Sequence, residues 1–185
     1  MRIQGQKITL REMEKADVAN KVKWFNDPDV NKTLLVEEKL ELNKSLNWFE
    51  RTRNDASRRD FVIESSQGTP IGIMALVHID AVHGTAECFC AVGEKAYWGG
   101  GIGTEAHLLL VDWAFKNLGL HKIWAYIRPE NTAIIKVVER IGFKVEGMLR
   151  EEKYIGGKRV DIVRIGLLRR EFYAAHPEFE KKGAR

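Results

Sequence analysis

Between an alternating apolar segment that ends near Val92 and a glycine-free apolar segment from Thr104 to about Leu118, the chain reads Tyr97-Trp98-Gly99-Gly100-Gly101-Ile102-Gly103-Thr104. Four of these residues are glycine, the type that loses most backbone freedom on ordering, so an ordered loop here needs a compensating interaction. A strand that turns through glycines into a helix presents unpaired N–H groups at the positive end of the helix dipole. The missing Cβ atoms let an anion reach the backbone. The stretch therefore predicts a phosphate or pyrophosphate cradle, with a loop that serves packing alone as the alternative.

Two familiar cradles fit poorly. A Walker loop needs Gly-x-x-x-x-Gly-Lys-[Ser/Thr], and no lysine follows a glycine at that spacing. Gly101-Ile102-Gly103-Thr104-Glu105-Ala106 formally meets a dinucleotide fingerprint. That motif, however, calls for an acidic residue about twenty positions on, where the chain has His121-Lys122-Ile123-Trp124.

At 185 residues the chain has the length of one domain, residues 1–185, able to bury around 70% of its unfolded surface without disulfides or metals. No apolar run approaches a membrane span, and Met1-Arg2-Ile3-Gln4-Gly5-Gln6-Lys7 lacks the apolar centre of a signal peptide. A soluble, cytoplasmic protein without membrane association is expected. Cys88 and Cys90 sit two apart in an apparent strand and are read as free thiols. The net charge of +4 is spread along the chain; it suits a polyanionic cofactor and gives no nucleic-acid footprint.

Periodicity then orders the elements. Ile8 to Arg11 reads as a strand, and Asp17 caps a helix through about Phe25 that Asn26-Asp27-Pro28 stops. A second helix carries Leu42, Leu46 and Phe49 and ends near Arg53. Trp24, Phe25, Trp48 and Phe49 are core aromatics, or as a group the lining of an acceptor pocket. Phe61–Glu64 and Ile71–Val77 flank the hairpin signal Gln67-Gly68-Thr69-Pro70. Thr85 to Val92 is the fourth strand, with Glu87, Phe89 and Ala91 on one face and Cys88, Cys90 and Val92 on the other. His78, Asp80 and His83 lack a fourth ligand at a metal spacing and read as a solvated turn, so no metal is expected. In the helix from Thr104 to Leu118, Glu105, Asp112 and Lys116 form one narrow polar stripe. Lys122–Ile127 is a fifth strand, Asn131 opens a helix that Gly142 ends, and Lys144–Tyr154 and Lys158–Leu168 pair through Gly156-Gly157. Residues 171–185 read as a polar tail.

From about Ile8 to Leu168 the chain resembles the GNAT acetyltransferases, in particular the ribosomal-protein-alanine and spermidine N-acetyltransferase branch. The resemblance is carried by the glycine loop, where Gly101-Ile102-Gly103 fits the pattern Gln/Arg-x-x-Gly-x-Gly/Ala with Trp98 in the Gln/Arg place. Asn117-Leu118-Gly119-Leu120-His121-Lys122-Ile123, Asn131, and Glu139-Arg140-Ile141-Gly142-Phe143 with Glu146-Gly147 follow in order. It implies an α/β fold: a mixed, mostly antiparallel sheet of about seven strands, splayed between strands 4 and 5 and flanked by about four helices. It implies acetyl-CoA in the gap, with Cys90, Ala91 and Val92 along the pantetheine and Gly99, Gly100, Gly101, Ile102, Gly103 and Thr104 on the pyrophosphate. Asn131 matches a cofactor-contacting Asn and is equally suited to capping its helix. Lys136 and Arg140 are two further candidates for a phosphate. Ile134 stands where Ser or Ala is usual. Val138 stands where many relatives, the spermidine enzymes included, carry a tyrosine that protonates the departing thiolate.

The implied activity is transfer of an acetyl group from acetyl-CoA to a primary amine by direct attack in a ternary complex. The alternative is a non-catalytic acyl-CoA-binding or sensing module. Because an amine of pKa about 10.4 is mostly protonated at pH 7, a base is required. Glu87, which matches a family carboxylate, is the candidate, with pairing to a basic neighbour as its other role. The acceptor classes are a protein N-terminus, an amino sugar carried on a nucleotide, and a small amine such as a polyamine. Glu37, Glu38 and Glu41 would suit a polyamine, or form a solvated charge run. A homodimer is compatible with all of these.

Overall fold

The computed structural model describes residues 1–32, 34–36 and 38–181. Its strands are β1 (Arg2–Gln4), β2 (Ile8–Glu12), β3 (Arg59–Ser65), β4 (Pro70–Asp80), β5 (Thr85–Val92), β6 (Lys122–Ile127), β7 (Lys144–Ile155) and β8 (Lys158–Leu168). They form one sheet in the order β1-β2-β3-β4-β5-β6-β8-β7. Every neighbouring pair is antiparallel except β5 and β6, which run parallel. The helices are α1 (Val18–Asn26), α2 (Pro28–Asn31), α3 (Leu42–Thr52), α4 (Ile102–Asn117), α5 (Thr132–Ile141), α6 (Arg169–Ala175) and α7 (Pro177–Lys181).

Three stretches of the chain differ from the sequence pattern. β1 adds an eighth strand; it is too short for periodicity to reveal. Asp27-Pro28 does not merely stop a helix. Asp27 Oδ1 accepts from Asp29 N at 2.8 Å and Pro28 takes the first helical position, so α2 starts there. The segment after Arg170 is not a polar tail: α6 and α7 fold back, and Phe172, fully buried, meets Phe115 at 5.8 Å and Phe179 at 5.6 Å between ring centroids. A single aromatic every few residues in a charged segment gives little periodic signal, yet it suffices to dock a short helix. Residues 182–185 lie outside the described residues.

The sheet buries both faces. On one, Ile102, Ala106, Leu110, Val111, Ala114 and Phe115 of α4 join Ile141 of α5 and Phe172 of α6 over Ile63, Met74 and Cys88. On the other, Trp24 and Phe25 of α1 and Phe49 of α3 cover Val62, Ile73 and Ala91. Alternation along β5 thus sends Cys88, Cys90 and Val92 toward α4, and Glu87, Phe89 and Ala91 toward α1 and α3, as the pattern predicts. Gly93 fits here because a Cβ would lie 2.1 Å from Cγ of Trp24.

Candidate functional site

The site begins where the sheet comes apart. β5 and β6 pair only at Thr85–Lys122, Ala86–Ile123 and Glu87–Trp124. Beyond that point β5 stays on β4 as far as Val92 and β6 stays on β8 as far as Ile127, so the two strands diverge. The expected splay is therefore present, and among the described residues no strand covers the edge of the outer half of β5.

A cavity of about 530 Å³ occupies the gap between the β5 end, the start of α4 and α5. Cys90, Ala91 and Val92 line it from the strand; Gly99, Gly101, Ile102, Gly103 and Thr104 line it from the loop and the first turn of α4. Gly100 is not brought to this wall; its carbonyl accepts from Lys7 Nζ at 2.8 Å. Gly99 and Gly101 have φ of +77° and +81°, a left-handed conformation that needs glycine. Gly103 has ordinary helical φ, and a Cβ there would meet nothing within 4 Å, so its absence leaves room beside the helix start. The first α4 hydrogen bond is Glu105 N to the carbonyl of Gly101, which leaves the amides of Ile102, Gly103 and Thr104 without helical partners. Lys136 and Arg140 of α5 add positive charge to the lining, which also holds Lys32, just after α2, with its ion-pair partner Asp29. This arrangement fits a polyanion held by backbone N–H groups, with an extended polar chain running along β5.

Asn131 serves as the cap of α5, its Oδ1 accepting from Ile134 N at 3.2 Å, and it lines the cavity as well. Trp98 contributes a bond that its type alone does not announce: Nε1 donates to the carbonyl of Val92 at 2.8 Å. Burial pushes the Cys90 thiol up to about 12 and the Cys88 thiol well above its ordinary value, so both are neutral and poor nucleophiles. Ile134 and Val137 line the cavity, whereas Val138 is packed in the core.

Glu87 lies at the last β5–β6 pair, on the sheet face opposite α4, and does not line the cavity. Its Oε2 is 2.9 Å from Nδ1 of His78, a ring that stacks parallel to Trp124 at 6.2 Å. Tyr126, two residues along β6 from Trp124, shares that face and packs edge-on to it at 5.1 Å. Nearby on the α1–α3 face, Lys21 Nζ sits 3.3 Å from the Trp48 ring centroid; burial lowers its pKa to about 8, with Asp60 opposing and Arg58 reinforcing the shift. Trp24, Phe25 and Phe49 are core residues, so of the four aromatics Trp48 alone remains only half-buried. Among the described residues no group of three or more His, Cys, Asp or Glu forms a metal site; Asp80 Oδ1 instead accepts from the backbone of Val82 and His83. Glu41 is paired with Lys44 at 2.7 Å, and Glu37 lies outside the described residues.

Tyr97, at the head of the glycine stretch, lines the cavity too, and so do Asp29, Lys32 and His107, which the sequence did not single out. The Asp-Pro pair could have revealed α2 and its charges. His107 breaks the apolar run of α4, the signal that was available for it.

A family model described as an acetyltransferase (GNAT) domain matches residues 7–144. The chain is 30% identical over 172 residues to the uncharacterized N-acetyltransferase p20 of Bacillus licheniformis, which covers 90% of this chain and 96% of that protein. It is 29% identical over 169 residues to the spermidine N(1)-acetyltransferase of Escherichia coli K12, covering 91% and 90% of the two chains. Its fold matches the crystal structure of the Vibrio cholerae spermidine N-acetyltransferase in complex with CoA and spermine with a TM-score of 0.85, at 26% identity and over 91% of this chain and 99% of that one. With the splayed sheet and the glycine loop in place, the chain belongs to the GNAT acetyltransferase family and is an N-acetyltransferase.

Proposed function

We propose that the protein transfers an acetyl group from acetyl-CoA directly to a primary amine within a ternary complex. The observation that carries this reading is the continuity of the cavity, from the first-turn amides of Ile102, Gly103 and Thr104, which have no helical partners, to the edge of β5 that β6 leaves beyond Glu87. Acetyl-CoA would supply the activated acetyl thioester. The first-turn amides hold the pyrophosphate, Lys136 or Arg140 adds charge to a phosphate, and Cys90, Ala91 and Val92 accompany the pantetheine arm. Direct transfer is favoured over an acetyl-cysteine because the Cys90 thiol, at about 12, supplies almost no thiolate near pH 7.

The amine approaches from the α1–α3 face, where Glu87 accepts its proton directly or through a water. Pairing with His78 keeps the carboxylate in place at the opening of the splay. Val138 has no proton to give, and a thiol of pKa about 8.5 leaves as thiolate without one. The acceptor is a small amine, in keeping with the spermidine N-acetyltransferase relatives, or a protein N-terminus or amino sugar nucleotide. An acetylation screen over these three classes, read as release of free CoA, tests the reading. No turnover of any amine, together with retained CoA affinity, would favour the binding module instead.

A further inference from the structure

His107 is a polar side chain on the inner face of α4 that none of these roles uses. It is 5% exposed and lies one helical turn beyond Gly103. Its Nδ1 is 2.7 Å from the carbonyl oxygen of Gly103. A carbonyl only accepts, so Nδ1 carries the proton and donates. Burial holds the ring below the usual histidine range, against the pull of the Gly103 carbonyl, so the imidazole is neutral near pH 7 and Nε2 keeps a bare lone pair. Among the described residues Nε2 has no hydrogen-bond partner, yet no buried side-chain nitrogen or oxygen is left unpaired. Nε2 is therefore open to the cavity that the ring lines.

Cys90 and Ala91 of β5 and Ile134 and Val137 of α5 make up an apolar part of the same lining, its one polar group a neutral thiol. A lone acceptor on such a wall selects a ligand with a donor at that depth. Phosphate oxygens carry no donor and repel a lone pair; the amide N–H groups of the pantetheine arm are donors.

We propose that His107 is a binding residue for the pantetheine arm, its Nε2 accepting a hydrogen bond from an arm amide one helical turn beyond the pyrophosphate cradle. This rests on the acetyl-CoA reading. A pyrophosphate alone would leave Nε2 unused, and an aliphatic residue at 107 would leave the arm's N–H unpaired in an apolar slot.

The test titrates CoA and adenosine 3′,5′-bisphosphate, which lacks the arm, into wild type, His107→Leu and His107→Gln by calorimetry. His107→Leu should weaken CoA binding roughly tenfold while leaving the bisphosphate within about twofold. His107→Gln, whose side-chain carbonyl can replace Nε2, should recover most of the loss. In turnover the change should fall on the KM for acetyl-CoA rather than on kcat. In 15N-histidine-labelled wild type the Nε2 resonance of His107 should move with CoA and not with the bisphosphate. That titration decides the matter if His107→Leu does not fold. Wild-type CoA affinity in a folded His107→Leu, an equal loss for both ligands, or an unmoved Nε2 resonance in CoA-saturated protein would each overturn the role of His107 and leave the acetyl-CoA reading intact. Absence of CoA binding to wild type would overturn both.

Discussion

The indole N–H of Trp98 donates to the carbonyl of Val92 across 2.8 Å, tying the entrance of the glycine loop to the end of β5. Two stretches that must jointly hold one ligand are thereby fixed relative to each other. Trp98 is 45% exposed, so its contribution lies in this bond more than in burial. Trp98→Phe keeps the ring and removes the donor; a loss of about 0.5–1.5 kcal/mol is expected, seen as CoA affinity weakened roughly 2- to 12-fold. Unchanged affinity by calorimetry would mean that the loop holds its shape without the bond.

The glycines of the cradle separate two roles. Gly103→Ala removes only backbone freedom from the unfolded chain and should stabilise by about 0.5–1 kcal/mol, since its Cβ meets no protein atom. Gly103→Leu should fill the cradle and weaken CoA binding while the thermal midpoint stays near wild type. Gly101→Val is a poorer probe, because at φ +81° it costs stability whatever the ligand does. Full CoA affinity in Gly103→Leu would place the phosphates elsewhere.

Proton transfer gives a third expectation. Glu87→Gln should lower kcat by roughly 10²–10⁴ with CoA affinity retained, the range of a missing general base. Tyr154, 54% exposed on the β7–β8 hairpin, should tolerate phenylalanine without change in rate. Tyr126→Phe should also remain within about tenfold if no acid is required. A drop above about a hundredfold at Tyr126 would make it the acid, and wild-type rates in Glu87→Gln would remove the base.

Lys21 predicts a pH dependence of stability. Its pKa is about 8 in the fold against 10.5 in the unfolded chain, because burial against Trp48 disfavours the charge. Between those values the unfolded chain binds more protons, so stability rises with pH across the window, is complete above 10.5 and is lost as pH falls through 8. Urea midpoints from pH 7 to 11 should show this slope. Lys21→Met should flatten it and raise stability at neutral pH; an unaltered slope in that variant would assign it to other groups.

Arg11 supports the first turns of the fold. It donates to both carboxylate oxygens of Asp17 at 2.7 Å and to Glu64 at 2.6 Å, and these two carboxylates are 4% and 6% exposed. Arg11→Met leaves both charges without that partner, an expected cost of about 3–5 kcal/mol. The urea midpoint should fall at constant m-value; a shift below about 1 kcal/mol would indicate that Arg2 and water replace it.

Much of this site was determined by the chain locally. Glycine at 99 and 101 is demanded by positive φ, Asn131 caps the residues that follow it, and β5 alternates between two faces; each depends on neighbours a few residues away, which spacing reveals. Family motifs supplied the splay, which no local preference encodes. Tertiary structure alone decided the rest. Phe172 became core because α6 reaches Phe115 some 57 positions earlier in the chain, and Trp98 found Val92 because the loop bends back on its own strand. The sequence did not say that Gly100 turns to Lys7 while Gly101 faces the cavity, nor that the lone pair of His107 opens into a cavity rather than a packed core. Conformational preference is a property of a residue and its immediate neighbours; a hydrogen-bond partner or a buried wall is a property of which distant segments the fold brings within a few ångströms, and sequence spacing carries no measure of that.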